Sequence, residues 1–164
     1  MSATIHKLRN FTLLILFVWL MVIMAVDLSS PAPNYSDSLP DECGVNSQNC
    51  SGFGMWYHRS DEEDAVVFSG TQEEAMESII EWVSSRDRMD ILHANETTIH
   101  AVETSFVFRF KDDLVVHTEC DDGLVLVHAY SPSRIGVGDM NVNPTRLSSL
   151  ISHLQEADLA GQGC

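Results

Sequence analysis

Lysine is scarce in this chain of 164 residues, occurring only at Lys7 and Lys111. Lysine and arginine together number 9, against 24 aspartates and glutamates, so the formal net charge is −15. Binding to DNA or RNA through phosphates requires clustered basic side chains. This scarcity of positive charge therefore excludes a nucleic-acid partner.

Several catalytic signatures are also missing. The chain contains no phosphate-binding loop, no nucleophile elbow and neither an HExxH nor a paired-cysteine zinc pattern. From these absences we expect no metal and no cofactor. They favour a protein that is not an enzyme.

The charge is unevenly distributed. Residues 1–26 contain Lys7, Arg9 and no acidic residue, whereas the rest of the chain has 24 acidic and 7 basic residues and carries −17. An acidic, lysine-poor surface resembles haloarchaeal proteins and those of other salt-loving microbes, in which carboxylates hold water and salt screens their repulsion. The alternative is an ordinary acidic surface, which would respond little to salt.

A hydrophobic stretch near the N-terminus predicts a membrane segment. Residues 11–26 read FTLLILFVWLMVIMAV, in which only Thr12 is polar. As a helix these residues span roughly 24 Å, and Leu28 with a snorkelling Arg9 brings this close to the bilayer core of about 30 Å. We therefore predict that residues 11–28 are a transmembrane segment in contact with the lipid bilayer.

The charges that flank this segment predict its orientation. Lys7 and Arg9 precede it and Asp27 ends the apolar run, which places residues 1–10 in the cytoplasm and the remainder outside. A cleaved signal peptide is the alternative. The sequence Ala25-Val26-Asp27 does not match a small-residue cleavage site, which favours a single-pass anchor that is not cleaved.

Residues 29–52 form a predicted linker, and residues 53–164 a globular domain. The linker is rich in Ser, Pro, Asn and Asp and has no apolar periodicity. If the domain lies outside the cytoplasm, three sequons become available for glycosylation. They begin at Asn34, Asn49 and Asn95.

The four cysteines leave open how they pair. Cys43 and Cys50 would close a short loop and could form a disulfide outside the cytoplasm. Cys164 is the last residue of the sequence, and we expect it to be a free thiol.

The globular part has the pattern of an α+β domain. Thr71 and Glu74 form a capping box that begins a helix, and Asp122-Gly123 predicts a hairpin turn. Alternation at Phe106–Phe110 predicts a strand with three Phe side chains inward, and Asn143-Pro144 predicts a helix start with Asn143 as N-cap. The predicted fold is an antiparallel sheet covered by two helices and preceded by one transmembrane helix. Its other predicted strands are 65–68, 91–94, 98–103, 114–119 and 124–130.

Two histidines meet in the predicted hairpin. A turn at Asp122-Gly123 places His117 opposite His128, with Glu119 next on the same face. Such a group could bind a metal or move protons. The alternative is that all of them, like His93 and His100, are polar residues on the wet face of the sheet.

A denser polar group surrounds the loop 131–139, which links the last strand to the last helix. One interpretation is a structural Arg–Asp network that holds this loop on the sheet. The other is a small-anion pocket, in which Arg134 and Arg146 meet backbone N–H groups at the helix start. The candidate residues are Arg109, Asp112, Asp113, Ser131, Ser133, Arg134, Asp139, Asn143 and Arg146.

At these residues the sequence resembles a known family. Phe108-Arg109-Phe110 with Asp112-Asp113, then the loop from Ser131 to Gly136, then Asp139, Asn143 and Arg146, is similar to the domain of unknown function 1499 family. Cys43 and Asn49-Cys50 also fit its pattern, whereas Met140-Asn141 and Pro144 depart from it. The resemblance covers about residues 43–155. It implies a membrane-associated or exported protein and no established activity or cofactor.

Two functions remain possible at this point. The first is a membrane-anchored domain outside the cytoplasm, a non-catalytic binding or structural module of the cell envelope with an unknown protein or small-anion partner. The second is a hydrolase-type enzyme that uses Asp112 or Asp113 with Arg134, or a His117/His128 site. Closed ion pairs would favour the first, and an open cleft would favour the second.

Overall fold

A long apolar helix, α1, precedes the folded domain. In the computed structural model, which describes residues 2–33, 35, 39, 48–54, 64–157 and 163–164, α1 spans Ser2–Ser29. Its segment Thr4–Ser29 is long and apolar enough to cross a membrane, and in the described parts of the chain it is the one helix of this kind. A membrane anchor and a signal sequence both have this character.

A six-stranded antiparallel sheet forms the centre of the domain. The strand order is β1-β6-β5-β4-β3, and β2 also pairs with β6. Since β1 pairs with the end of β6 and β2 with its beginning, the two short strands lie one after the other along the same edge. The strands are β1 Cys50–Phe53, β2 Val66–Phe68, β3 Met89–Ala94, β4 Thr98–Thr104, β5 Lys111–Asp121 and β6 Leu124–Pro132.

Two helices cover one face of this sheet, as predicted. The helix α2 spans Gln72–Ser84, and α3 spans Val142–Glu156. Apolar side chains of both helices pack against alternate residues of the central strands, where burying them stabilises the fold. The core includes Ile79, Trp82, Ile99, Leu114, Val116, Val127, Leu147, Leu150 and Leu154.

The β5–β6 hairpin confirms the predicted turn and register. Asp122 and Gly123 have φ values of 49° and 81°, the left-handed conformation that a two-residue hairpin turn needs. His117 consequently pairs with His128.

The two helix starts differ in how well the sequence predicted them. Thr71 caps α2 with the reciprocal bonds to Glu74 that define a capping box, which confirms the prediction. At α3, the prediction that Asn143 is the N-cap is wrong, because Asn141 occupies the N-cap position. The upstream carboxylate of Asp139 accepts hydrogen bonds from the backbone N–H groups of Asn141 and Asn143. Asn143 lies inside the helix, and its side chain is buried.

The strand predicted at Phe106–Phe110 is wrong. Residues 105–110 form the loop between β4 and β5, and the three Phe side chains are exposed instead of inward. Regular alternation over five residues does not distinguish a strand from a loop whose apolar side chains lie outside the core.

The cysteines and the linker also differ from expectation. Cys164 forms a disulfide with Cys120, so the predicted free thiol is wrong. Cys43 lies outside the described residues, and its pairing with Cys50 stays a prediction. Because β1 begins at Cys50, the sheet extends into the segment 29–52 that was predicted to be linker.

Candidate functional site

The candidate polar residues divide between the two faces of the sheet. Asp112 and Asp113 are neighbours on β5, and successive side chains of a strand point to opposite faces. Asp112 contacts Arg146 on the side of α3, whereas Asp113 contacts Arg134 on the other side. We call these groups the helix-side cluster (Glu103, Asp112, Ser131, Asn143, Arg146) and the far-side cluster (His100, Asp113, Arg134).

In the far-side cluster, the carboxylate of Asp113 is fully buried and fully occupied. Arg134 donates from Nε to Oδ2 and from Nη2 to Oδ1, each at 2.8 Å. His100 Nε2 lies 2.7 Å from Oδ1 and donates to it, since an ionised carboxylate only accepts. The exposed fractions of the Asp113 and Arg134 side chains are 0% and 6%. This is a closed, bidentate ion pair.

The pKa values of these groups follow from burial and charge. Burial raises the pKa of Asp113, but the hydrogen bonds and charges of Arg134 and His100 outweigh burial, so this pKa lies below its ordinary value. The hydrogen bonds to Asp113 raise the pKa of Arg134. Both groups are therefore charged at neutral pH.

Two tyrosines lie beside the far-side cluster. The ring of Tyr35 makes edge contacts with the rings of His100 and Tyr130, with centroid distances of 5.2 and 6.2 Å. Burial raises the pKa of Tyr35 to about 12, and the negative charge of Asp113 adds to this rise. Burial and Asp113 also raise the pKa of Tyr130, so both tyrosines stay neutral.

The far-side cluster also contacts the end of α1. Arg134 Nη1 donates to the backbone carbonyl of Ser30 at 3.3 Å. The hydroxyl of Ser30 donates to the carbonyl of Val26, one turn back in the helix. One guanidinium thus joins the sheet, the loop 131–139 and the residue that follows α1.

The helix-side cluster is centred on Arg146, whose side chain is buried. Its Nε donates to Glu103 at 2.8 Å and its Nη2 donates to Asp112 at 3.0 Å. Its Nη1 donates to the hydroxyl of Ser131 and to the amide oxygen of Asn143. All three nitrogens of this guanidinium are therefore occupied.

Hydrogen bonds from Asn49 and Asn143 fix the loop 131–139 at several positions. The side-chain amide of Asn49 donates to the backbone carbonyls of Ser133 and Gly136, and the backbone carbonyl of Asn49 accepts from the side-chain amide of Asn143. The amide of Asn143 also donates to the hydroxyl of Ser133. In the folded domain the side chain of Asn49 is buried and its amide nitrogen is hydrogen-bonded, so this sequon is covered once the domain has folded.

Arg109 does not join either cluster. It lies in the exposed β4–β5 loop with φ of 61°, a left-handed conformation that non-glycine residues adopt infrequently. The other eight candidate residues lie in the helix-side cluster, the far-side cluster or the loop that joins them.

The predicted histidine pair forms, with separate partners for each ring. The ring centroids of His117 and His128 are 6.5 Å apart. His117 Nδ1 contacts Thr98 Oγ1 at 3.0 Å, and His128 Nε2 contacts Glu119 Oε1 at 3.0 Å. Burial and the neighbouring His128 lower the pKa of His117. Within the described ranges, no group of three or more His, Cys, Asp or Glu side chains is arranged to hold a metal ion.

Sequence reasoning missed two residues of these clusters and one residue that holds the loop 131–139. His100, expected on the wet face, is buried against Asp113; its register partner on β5 is Val115, which makes Asp113 a diagonal neighbour on the same face. Glu103 pairs directly with Asp112. Both contacts follow once the β4–β5 register is known. Asn49 was noted only for its sequon and for the family pattern, and its role in holding the loop was missed because its partners lie more than 80 residues away.

Comparison with known proteins identifies a family without a defined activity. A family model described as protein of unknown function (DUF1499) matches residues 30–154, more than half of the chain. The chain therefore belongs to this family, which confirms the resemblance seen in the sequence. No curated protein and no solved structure matches the chain. The match begins directly after α1 and includes both polar clusters.

Proposed function

We propose that this member of the DUF1499 family is a membrane-anchored, non-catalytic module that α1 holds on the outer side of a cell membrane. The apolar helix supports the anchor. Its N-terminal end carries Lys7 and Arg9, as expected for a segment whose N-terminus stays in the cytoplasm.

The closed state of Asp113 is the observation that carries the non-catalytic part of the proposal. A general acid or base must lie within hydrogen-bonding reach of a substrate. Asp113 is buried, and both of its oxygens accept from Arg134 while His100 adds a third bond. Asp112 lies on the opposite face in the closed Arg146 group, so the two carboxylates do not share a site as a hydrolase pair would need.

The geometry also argues against a small-anion pocket at the start of α3. In such a pocket, Arg134, Arg146 and the first N–H groups of the helix would face an external anion. Both guanidinium groups are paired with carboxylates of the protein itself. The carboxylate of Asp139 occupies the helix N-terminus. We infer that the clusters hold the loop, sheet and helix together, and that partners bind elsewhere on the domain.

Thermal unfolding of the full chain in detergent tests whether the clusters stabilise the fold or form an anion-binding pocket. The unfolding midpoint would be measured with and without phosphate, sulfate and small carboxylates, for the unchanged chain and for Arg134→Ala. With each anion at millimolar concentration and the ionic strength held constant with KCl, we expect no anion to shift the midpoint of the unchanged chain, and we expect Arg134→Ala to lower it without any ligand.

The matched control is Arg134→Lys, which keeps the charge but loses the bidentate fork and should fall between the other two. A stable Arg134→Ala chain that loses an anion-dependent shift seen in the unchanged chain would overturn the proposal in favour of a binding pocket.

A further inference from the structure

The β4–β5 loop, residues 105–110, carries a patch of exposed apolar side chains. The exposed fractions of Phe106, Val107, Phe108 and Phe110 are 79%, 50%, 45% and 41%. A single exposed apolar residue is ordinary, but four among five consecutive residues form a patch of the kind that marks an interaction site.

This loop lies alongside α1. The indole Nε1 of Trp19 donates to the carbonyl of Val107 at 3.0 Å, and Lys111 forms an ion pair with Asp27. Trp19 precedes Asp27 by eight residues, about 12 Å along a helix. The loop therefore extends from the charged end of α1 toward the middle of its apolar segment, where the side chains of α1 are themselves exposed.

The charge of the loop is unlike that of the rest of the domain. Residues 104–111 contain Arg109 and Lys111 and no acidic residue, in a chain of net charge −15. Basic side chains next to an apolar segment are attracted to lipid phosphates, whereas an acidic surface is repelled by anionic lipids. Lys111 is also the only lysine outside the N-terminal segment.

Some backbone N–H and C=O groups of the loop have hydrogen-bond partners within the loop or on α1. The N–H of Ser105 donates to the carbonyl of Phe110 at 2.8 Å, and the N–H of Phe110 donates to the hydroxyl of Ser105 at 2.9 Å. The carbonyl of Val107 accepts from Trp19. Backbone groups that enter a bilayer need such partners, because lipid chains offer none.

We propose that the β4–β5 loop inserts its four apolar side chains into the lipid leaflet beside α1, with Arg109 and Lys111 at the level of the headgroups. The inference rests on the proposed membrane anchor. It gives the domain a second contact with the lipid, so that the domain stands on the bilayer in one fixed orientation.

Spin-label accessibility in reconstituted vesicles tests this inference. The full chain would carry one nitroxide at a time, attached at Phe106→Cys, at Leu16→Cys in α1, or at Glu96→Cys in the exposed β3–β4 turn at the other end of β4. Collision rates with oxygen, which concentrates in lipid, and with a water-soluble nickel complex report the surroundings of each label. The unsubstituted chain, treated identically, gives the background from native cysteines.

We expect the ratio of oxygen to nickel collisions to be several-fold higher at positions 106 and 16 than at position 96. If the label at 16 lies in lipid and the label at 106 lies in water, the loop insertion is wrong and the anchor stands. If the label at 16 lies in water, the anchor proposal fails and this inference fails with it.

Discussion

Asp113 and Arg134 depend on one another, because removing either one leaves the other as a buried charge without its bidentate partner. Both side chains are almost inaccessible to water. Removing one partner of a buried ion pair costs more than the pair itself contributes, since the remaining charge keeps its desolvation penalty.

We therefore expect Asp113→Asn to lower the free energy of unfolding by about 3–5 kcal/mol. Denaturant titration of the full chain in detergent, followed by far-UV circular dichroism, measures this change. The matched control is Asp121→Asn on the same strand, whose exposed side chain should change the free energy by no more than about 0.5 kcal/mol. Equal stability of the two variants would show that the far-side cluster does not hold the fold together.

The lowered pKa of Asp113 also predicts how this contribution depends on pH. The folded pKa lies below the unfolded value of about 3.9, so the ionised carboxylate stabilises the fold above that pH. The contribution is lost as the pH falls through the folded pKa. Denaturant titrations from pH 7 to pH 2 should show the difference between the unchanged chain and Asp113→Asn shrinking below about pH 4. A difference that stays constant to pH 2 would rule out this assignment.

Among the elements, the end of the chain is joined covalently to the β5–β6 hairpin. The disulfide Cys120–Cys164 closes a loop across a sequence separation of 44 residues, which includes β6 and α3. A cross-link of this length restricts the unfolded chain and stabilises the fold by about 4 kcal/mol in the chain-entropy model.

Cys164→Ser should accordingly lower the free energy of unfolding by about 2–4 kcal/mol. The double variant Cys120→Ser/Cys164→Ser should behave like the single variant, because either change breaks the bond. Calorimetry without reductant measures both. A single variant as stable as the unchanged chain would mean that the disulfide does not constrain the fold.

The elements that local sequence determines were predicted well. The capping box at Thr71 and the Asp122-Gly123 turn depend on residues within three positions of one another, and both are confirmed. The predicted α+β fold with two covering helices follows from the periodicity of the segments and is also confirmed.

The remaining features depend on distant contacts, which periodicity does not report. The loop at 106–110 has the alternation of a strand, but its side chains are exposed and its backbone contacts α1, more than 80 residues earlier. The N-cap position of α3 is Asn141 rather than Asn143, and the side chain of Asn143 is instead engaged by Ser131 and by the backbone carbonyl of Asn49. In contrast, the division of Asp112 and Asp113 between two faces follows from strand alternation alone, so it could have been predicted from the sequence.

The chain as one body carries a large negative charge, −15 in 164 residues. Repulsion among surface carboxylates opposes the compact state, and salt screens it as the Debye length falls from about 10 Å at 0.1 M to about 3 Å at 1 M. We expect the thermal unfolding midpoint to rise steadily between 0.1 M and 2 M KCl. Choline chloride at matched ionic strength distinguishes screening from specific binding of potassium. A midpoint independent of salt would refute the resemblance to salt-adapted proteins.

Both proposals depend on α1 staying attached and holding the domain outside the cytoplasm, and labelling of intact cells tests this arrangement. Full chains that carry Thr4→Cys or Glu96→Cys would be treated with a membrane-impermeant maleimide before and after lysis, with the unsubstituted chain as background. We expect Glu96→Cys to react in intact cells and Thr4→Cys to react only after lysis, in protein that stays in the membrane fraction. Reaction of Thr4→Cys alone in intact cells, or a soluble chain that has lost its N-terminal residues, would disprove the proposed arrangement.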